Sequence, residues 1–137
     1  MPSGYILDSY ALLAFLQGEP GAKEVEDLIA ADDTEITISI INLGEVFYIL
    51  AREFGEETAA DFEKTVFATP KIKVAVSPWE RVRAAARLKA LEGLSFADCF
   101  AASLAQELDA MLVTGDSEFA ALEGKKLIRV LWLPTTV

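Results

Sequence analysis

Five short apolar, β-rich runs, at residues 5–7, 35–40, 71–76, 111–113 and 127–133, alternate along this chain with stretches long and periodic enough to be helices. Parallel strands cannot be joined by a tight turn, and the helices that connect them must cover the faces of the sheet. The alternation therefore predicts an α/β fold with a mostly parallel sheet of about five strands, covered on both faces. The turn signals agree. Gly18, Pro20 and Gly21 separate a helix at residues 10–16 from an amphipathic one with Val25, Leu28 and Ile29 inward, which Asp32 and Asp33 close. Ser39 can cap a helix carrying Leu43, Val46, Phe47 and Leu50, and residues 56–67 are a further helical stretch. Pro78 opens a helix at 79–91, and Ser95 caps another at 96–108.

The chain has 137 residues, 53% of them hydrophobic, enough for one core, and one domain over residues 1–137 is expected. No apolar run approaches the roughly 20 residues that cross a bilayer, and the start lacks the basic and apolar segments of a signal peptide. A cytoplasmic protein without membrane association is expected. The single cysteine, Cys99, cannot form an internal disulfide, and among Phe96, Phe100 and Ala102 it reads as a small buried hydrophobe.

Histidine is absent, which removes Ser-His-Asp and Cys-His nucleophilic arrangements, imidazole zinc sites and the commonest general base at neutral pH. Hydrolytic chemistry in this chain must rest on carboxylates, aided by a metal. The net charge of -10 argues against non-specific duplex DNA binding by the whole surface. The charge is unevenly placed: residues 1–69 hold 14 acidic and 3 basic side chains, residues 70–137 hold 8 and 9. A polyanion would find its contacts in the second half.

Four acids stand out. Asp8 and Asp116 each end an apolar strand, the position where open parallel sheets bind ligands, although either alone is also a plain helix cap. Asp98 is the one charge among Phe96, Ala97, Cys99, Phe100, Ala101 and Ala102, and its helical face continues through the small Ala101, Ala102 and Ala105. Glu45 lies between Leu43, Gly44, Val46 and Phe47 near a helix start, where a carboxylate also favours the positive end of the helix. Together the four can make one acidic pocket. Oxygen-only donors suit hard divalent ions such as Mg2+ or Mn2+, and without a cation such carboxylates repel and some stay protonated.

The runs Ile6-Leu7-Asp8-Ser9, Ser39 through Glu45, Leu94-Ser95-Phe96-Ala97-Asp98-Cys99-Phe100-Ala101-Ala102 and Thr114-Gly115-Asp116-Ser117-Glu118-Phe119 resemble the PIN-domain nucleases. Within that family they resemble the VapC-type toxins of bacterial and archaeal toxin–antitoxin pairs, over nearly the whole chain. The resemblance implies a three-layer α/β/α sandwich and a Mg2+- or Mn2+-dependent endoribonuclease with Asp8, Glu45, Asp98 and Asp116 as its acidic quartet. It also implies Ser9 and Thr114 as hydroxyls supporting the acids and bound water, a homodimer, and an antitoxin whose segment wraps the toxin near its active site. Arg83 and Arg87 form an i, i+4 pair with Arg81 and Lys89 close by, and are expected either to guide an RNA backbone or to be a solvated helix face. The apolar Val46, Phe47, Ile49, Leu50 and Phe54 suggest a surface for self-association or a partner. Three other readings stand beside this one, the first a receiver-like signalling module with a phosphorylated Asp, for which the expected paired acids after the first strand are lacking. Asp8 is placed for an aspartyl-nucleophile phosphatase, which usually wants a second Asp where Tyr10 stands, and a catalytically idle interaction module would carry the same acids.

Overall fold

The computed structural model describes residues 3–136. In chain order its elements are β1 (Ser3–Leu7), α1 (Ser9–Gln17), α2 (Ala22–Ala30), β2 (Thr34–Ser39), α3 (Ile40–Phe54), α4 (Glu56–Phe67) and β3 (Ile72–Ala75). There follow α5 (Trp79–Leu91), α6 (Phe96–Leu108), β4 (Met111–Thr114), a 3-10 turn (Ser117–Phe119), α7 (Ala120–Gly124) and β5 (Arg129–Trp132). The punctuation residues act as expected. Ser39 Oγ accepts the Ile41 N–H at 3.2 Å, so the strand expected to reach residue 40 stops at Ser39 and Ile40 opens α3. Ser95 Oγ accepts the Asp98 N–H at 3.2 Å and starts α6, while Pro78 is the residue before α5. The last strand is shorter than the apolar run at 127–133, because Lys126 turns the chain at φ 61° and the Leu127 N–H bonds back to Leu122 O at 3.0 Å.

The five strands form one sheet in the order β3-β2-β1-β4-β5, and every pair is parallel. The period of two along a strand sends neighbouring side chains to opposite faces, and both faces are buried. Ile6 and Leu112 point to one side, against Ala101 and Phe100 of α6, Ala85 of α5 and Phe119. Leu7 and Val113 point to the other, against Leu12 of α1, Val25 of α2, Val46 of α3 and Phe62 of α4. The result is a three-layer sandwich with α1 to α4 on one face and α5 to α7 on the other. Ala101, Ala102 and Ala105, fully buried or nearly so, let α6 lie close to the central strands, where each buried Ile, Leu or Val contributes about 1.5 to 3 kcal/mol.

Of the α3 side chains expected to form an association surface, Val46 and Leu50 belong to the core instead, since their helical spacing points them at the sheet. Phe47 and Ile49 are half-buried, and Phe54, 57% exposed at the helix end, alone remains a surface group. Cys99 is buried, and its burial pushes the thiol pKa up, away from reactivity. No helix of the described residues is long and apolar enough to cross a membrane.

The strand order decides where a ligand can go. From β1 the chain moves outward through β2 to β3, returns past β1 by way of α5 and α6, and then moves outward the other way from β4 to β5. The connections leaving the carboxyl ends of β1 and β4 therefore part company and open a crevice between them.

Candidate active site

Asp8 and Asp116 stand at that crevice, one just past β1 and the other two residues past the end of β4. Asp8 is only 1% exposed. Its two oxygens are both engaged: Oδ1 accepts the Ala11 N–H at 2.8 Å, capping α1, and Oδ2 accepts the Thr114 hydroxyl at 2.5 Å. The Thr114 oxygen in turn accepts the Asp116 N–H at 3.0 Å, so one buried hydroxyl ties the first acid to the loop that carries the last. Asp116 Oδ1 accepts the Glu118 N–H at 2.9 Å and caps the 3-10 turn. Both aspartates are thus helix caps that also stand at the acidic crevice, so capping does not set them apart from it.

Asp98, in the first turn of α6, is half-buried and faces the same crevice. One carboxylate oxygen from each of Asp98, Asp116 and Glu118 lies within 4.8 Å of the others. Glu45, half-buried on α3, is close enough for its charge to act on Asp98. Burial raises the Asp98 pKa to about 6, Ser95 opposes the shift by hydrogen bonding, and Asp116, Glu45 and Glu118 add repulsion. Burial also raises Asp8, to about 7, against the hydrogen bonds from Thr114 and Ala11, with Asp98 and Asp116 repelling it further. The structure therefore brings all four acids singled out in the sequence into one electrostatic neighbourhood. No basic side chain figures among the leading influences on Asp8 or Asp98.

Glu118 is the acid that sequence reasoning passed over. Its signal was an acid two residues after Asp116, a spacing that on an α-helix puts side chains on different faces. Here the turn between them is 3-10 and capped by Asp116 itself, which lets both carboxylates converge. Gly115 has a spatial reason. A Cβ there would sit 2.6 Å from Tyr10 Cζ and 2.9 Å from its hydroxyl oxygen, so the phenol ring lies directly against the loop between Thr114 and Asp116.

The hydroxyls and arginines divide differently from expectation. Thr114 supports an acid directly. Ser9 does not: its Oγ donates to the Asn42 carbonyl at 3.4 Å and accepts from Asn42 Nδ2 at 3.2 Å, joining α1 to α3. Arg81 is committed to Glu107, through Nε at 3.1 Å and Nη2 at 2.9 Å, and to the Val76 carbonyl through Nη1 at 2.8 Å. It staples α5 to α6, and the pairing with Glu107 raises its pKa. Arg83 and Arg87 are exposed on α5 and have no salt bridge among the described residues. Lys89 donates to the Leu94 carbonyl at 2.5 Å, bracing the turn before α6.

Fold and site together define a parallel α/β protein with a carboxylate cluster at the switch point of its sheet. The chain belongs to the PIN domain family, whose model matches residues 5–125, and VapC-type members of that family are nucleases. Its fold matches VapBC2 of Rickettsia felis, solved bound to a promoter DNA fragment, with TM-score 0.72 at 17% identity over 96% of this chain and 99% of that one. It also matches VapC20 of Mycobacterium tuberculosis, described as a sarcin-ricin-loop-cleaving toxin, with TM-score 0.69 at 17% identity over 87% and 94%. A third match is PAE2754 of Pyrobaculum aerophilum, with TM-score 0.65 at 24% identity over 88% and 85%. No curated protein matches this sequence.

PIN nucleases use divalent metal ions, and the donors here fit one. All are carboxylate oxygens, which suit a hard cation rather than zinc or copper. Two of the acids are held by burial and mutual repulsion near neutrality, a cost that a bound cation removes.

Proposed function

We propose that this chain is a Mg2+- or Mn2+-dependent endoribonuclease, one nuclease domain over residues 1–137, acting in the cytoplasm as the toxin of a toxin–antitoxin pair. The observation that carries the proposal is the convergence of Asp8, Glu45, Asp98, Asp116 and Glu118 at the switch point of a PIN-family sheet. Asp98, Asp116 and Glu118 are the ligands nearest one another; Asp8 and Glu45 complete the acidic wall. The bound cation would polarise the scissile phosphate and lower the pKa of an attacking water. The chain's own groups prepare that chemistry. Thr114 orients Asp8 and, through the Asp116 N–H, sets the loop in place. Burial keeps bulk water from the Asp8 carboxyl and raises its pKa to about 7, so that a cation in the crevice would favour its charged form. Arg83 and Arg87, exposed on α5 and free of salt bridges among the described residues, are available to meet an RNA backbone, while Arg81 serves the fold.

A toxin role is supported by the fold shared with VapBC2 and VapC20, and it supplies the partner: an antitoxin whose segment wraps this chain near the acidic crevice, with the apolar hollow of Leu16, Leu50 and Phe62 beside the exposed Phe54 as a further surface for it. A homodimer belongs to the same reading, with exposed apolar groups such as Trp79 and Leu91 available to cover. The phosphatase reading loses ground, because a nucleophilic Asp8 would need a free, accessible oxygen and both of its oxygens accept hydrogen bonds at 1% exposure. The test is digestion of total cellular RNA by purified protein with Mn2+ or Mg2+, beside an EDTA control and the Asp98→Ala variant. Discrete fragments are expected with metal and wild-type protein alone, their ends naming the RNA. Fragments that persist with EDTA or with Asp98→Ala would refute the assignment, and metal binding without any cleavage would favour an idle interaction module.

A further inference from the structure

We infer that Asn42 is a positioning residue whose single side-chain amide sets the separation of the elements carrying Asp8, Glu45 and Asp98; the inference rests on the cation-site reading above. Asn42 is completely buried in the first turn of α3. Its Nδ2 donates to Ser9 Oγ at 3.2 Å and to the Ala97 carbonyl at 3.2 Å, while Ser9 Oγ donates back to the Asn42 carbonyl at 3.4 Å. Ser9 follows Asp8, Ala97 precedes Asp98, and Glu45 lies three residues beyond Asn42 on the same helix face. One planar group therefore touches α1, α3 and α6 beside an acid on each. The two N–H bonds of an amide diverge at a fixed angle, so both contacts together define a distance as well as a connection.

Stability alone does not explain an asparagine here. Its Oδ1 is buried and has no hydrogen-bond partner among the described residues, and a buried polar atom left unpaired costs more than an apolar residue of similar volume would. What the amide supplies and an apolar residue cannot is directional contact at two points. Four or five carboxylates that repel one another must be held together against that repulsion, and groups that orient metal-binding acids commonly change metal affinity by about 10- to 100-fold when removed.

The experiment measures Mn2+ binding to the purified full chain, by electron paramagnetic resonance of the free ion, with thermal unfolding in EDTA run in parallel. Asn42→Ala, and Asn42→Thr as a milder change of nearly equal volume, are compared with Val66→Ala, a buried truncation in α4, which bears none of the five acids. The Mn2+ dissociation constant should rise about tenfold or more in Asn42→Ala, less in Asn42→Thr, and stay at the wild-type value in Val66→Ala even where the metal-free midpoint falls as far. RNA cleavage should lose kcat with KM for RNA kept within about twofold. Wild-type Mn2+ affinity in a folded Asn42 variant would overturn the inference, and so would equal weakening by Val66→Ala. If Asn42→Ala does not fold, Asn42→Thr decides by the same criterion. Should the wild type bind no Mn2+, or Asp98→Ala bind as tightly as wild type, the cation reading itself falls and the inference with it, a failure recognised because it occurs with Asn42 intact.

Discussion

Replacing Asp8 by asparagine should make the metal-free protein more stable at pH 8 and less stable at pH 4. Asp8 titrates at about 7 in the folded protein against 3.8 for an ordinary aspartate, and burial is the largest cause. Between those values the folded chain holds a proton that the unfolded chain has released, so folding stability falls as pH rises. The loss is absent below about pH 4 and complete above about pH 7. Each pKa unit is worth about 1.4 kcal/mol, so the charged Asp8 costs the metal-free fold roughly 4 kcal/mol at pH 8. Asp98 shifts in the same direction, but it is half exposed and solvent screening reduces its share. An asparagine carries no such charge, yet its amide cannot accept both the Ala11 and Thr114 hydrogen bonds, which costs about 1 kcal/mol at any pH.

The net expectation is a gain of about 3 kcal/mol at pH 8 and a loss of about 1 kcal/mol at pH 4, changing sign between. Thermal melts in EDTA would read the gain as a rise on the order of 10 °C, and urea midpoints would follow. Saturating Mn2+ should restore the wild type at pH 8, by about 2.7 kcal/mol at a hundredfold excess over the dissociation constant, and do little for Asp8→Asn. A stability difference between the two proteins that does not change with pH, or an Asp8→Asn protein less stable at pH 8, would refute the account of Asp8 as a buried acid held uncharged until a cation arrives.

Thr114→Val removes the donor to Asp8 and the acceptor of the Asp116 N–H, and should cost about 1 to 3 kcal/mol in urea unfolding while moving the onset of cleavage to higher pH, because that hydrogen bond lowers the Asp8 pKa. Gly115→Ala drives a methyl into the Tyr10 ring; a loss of about 1 to 3 kcal/mol and of most cleavage is expected, and Tyr10→Ala in the same chain should restore stability by relieving the clash, as calorimetry would show. Glu118→Gln keeps the exposed side chain's size, so the melting temperature should hold while Mn2+ titration shows affinity weakened about 10-fold or more; unchanged affinity would remove Glu118 from the cluster.

The local rules of the chain were legible one residue at a time. Ser39, Pro78 and Ser95 start helices where their side chains dictate, and the apolar runs become strands because β-branched and aliphatic residues fit a pleated sheet buried on both faces. Asp8 and Asp116 could be placed at strand ends, and Asp98 stood out, because a charge in an apolar stretch is expensive unless something offsets it. The family resemblance was legible for the same reason, since its motifs are these caps and acids.

What tertiary structure alone decided is everything that depends on which distant segments meet. Periodicity says that a strand has two buried faces, but not that β4 inserts beside β1; that choice makes the crevice and delivers Asp116 to Asp8. Burial, which lifts Asp8 to about 7, is a property of the closed core and of no single residue. Glu118 joined the cluster through a 3-10 turn, Ser9 turned from the acids to Asn42, and Arg81 was taken by Glu107, each by a contact between segments that only the folded chain brings together. Sequence determines local conformation because its forces act within a turn or two of chain. The charge and shape of the site come from desolvation and repulsion between groups up to 108 residues apart, and those exist only once the sheet has closed.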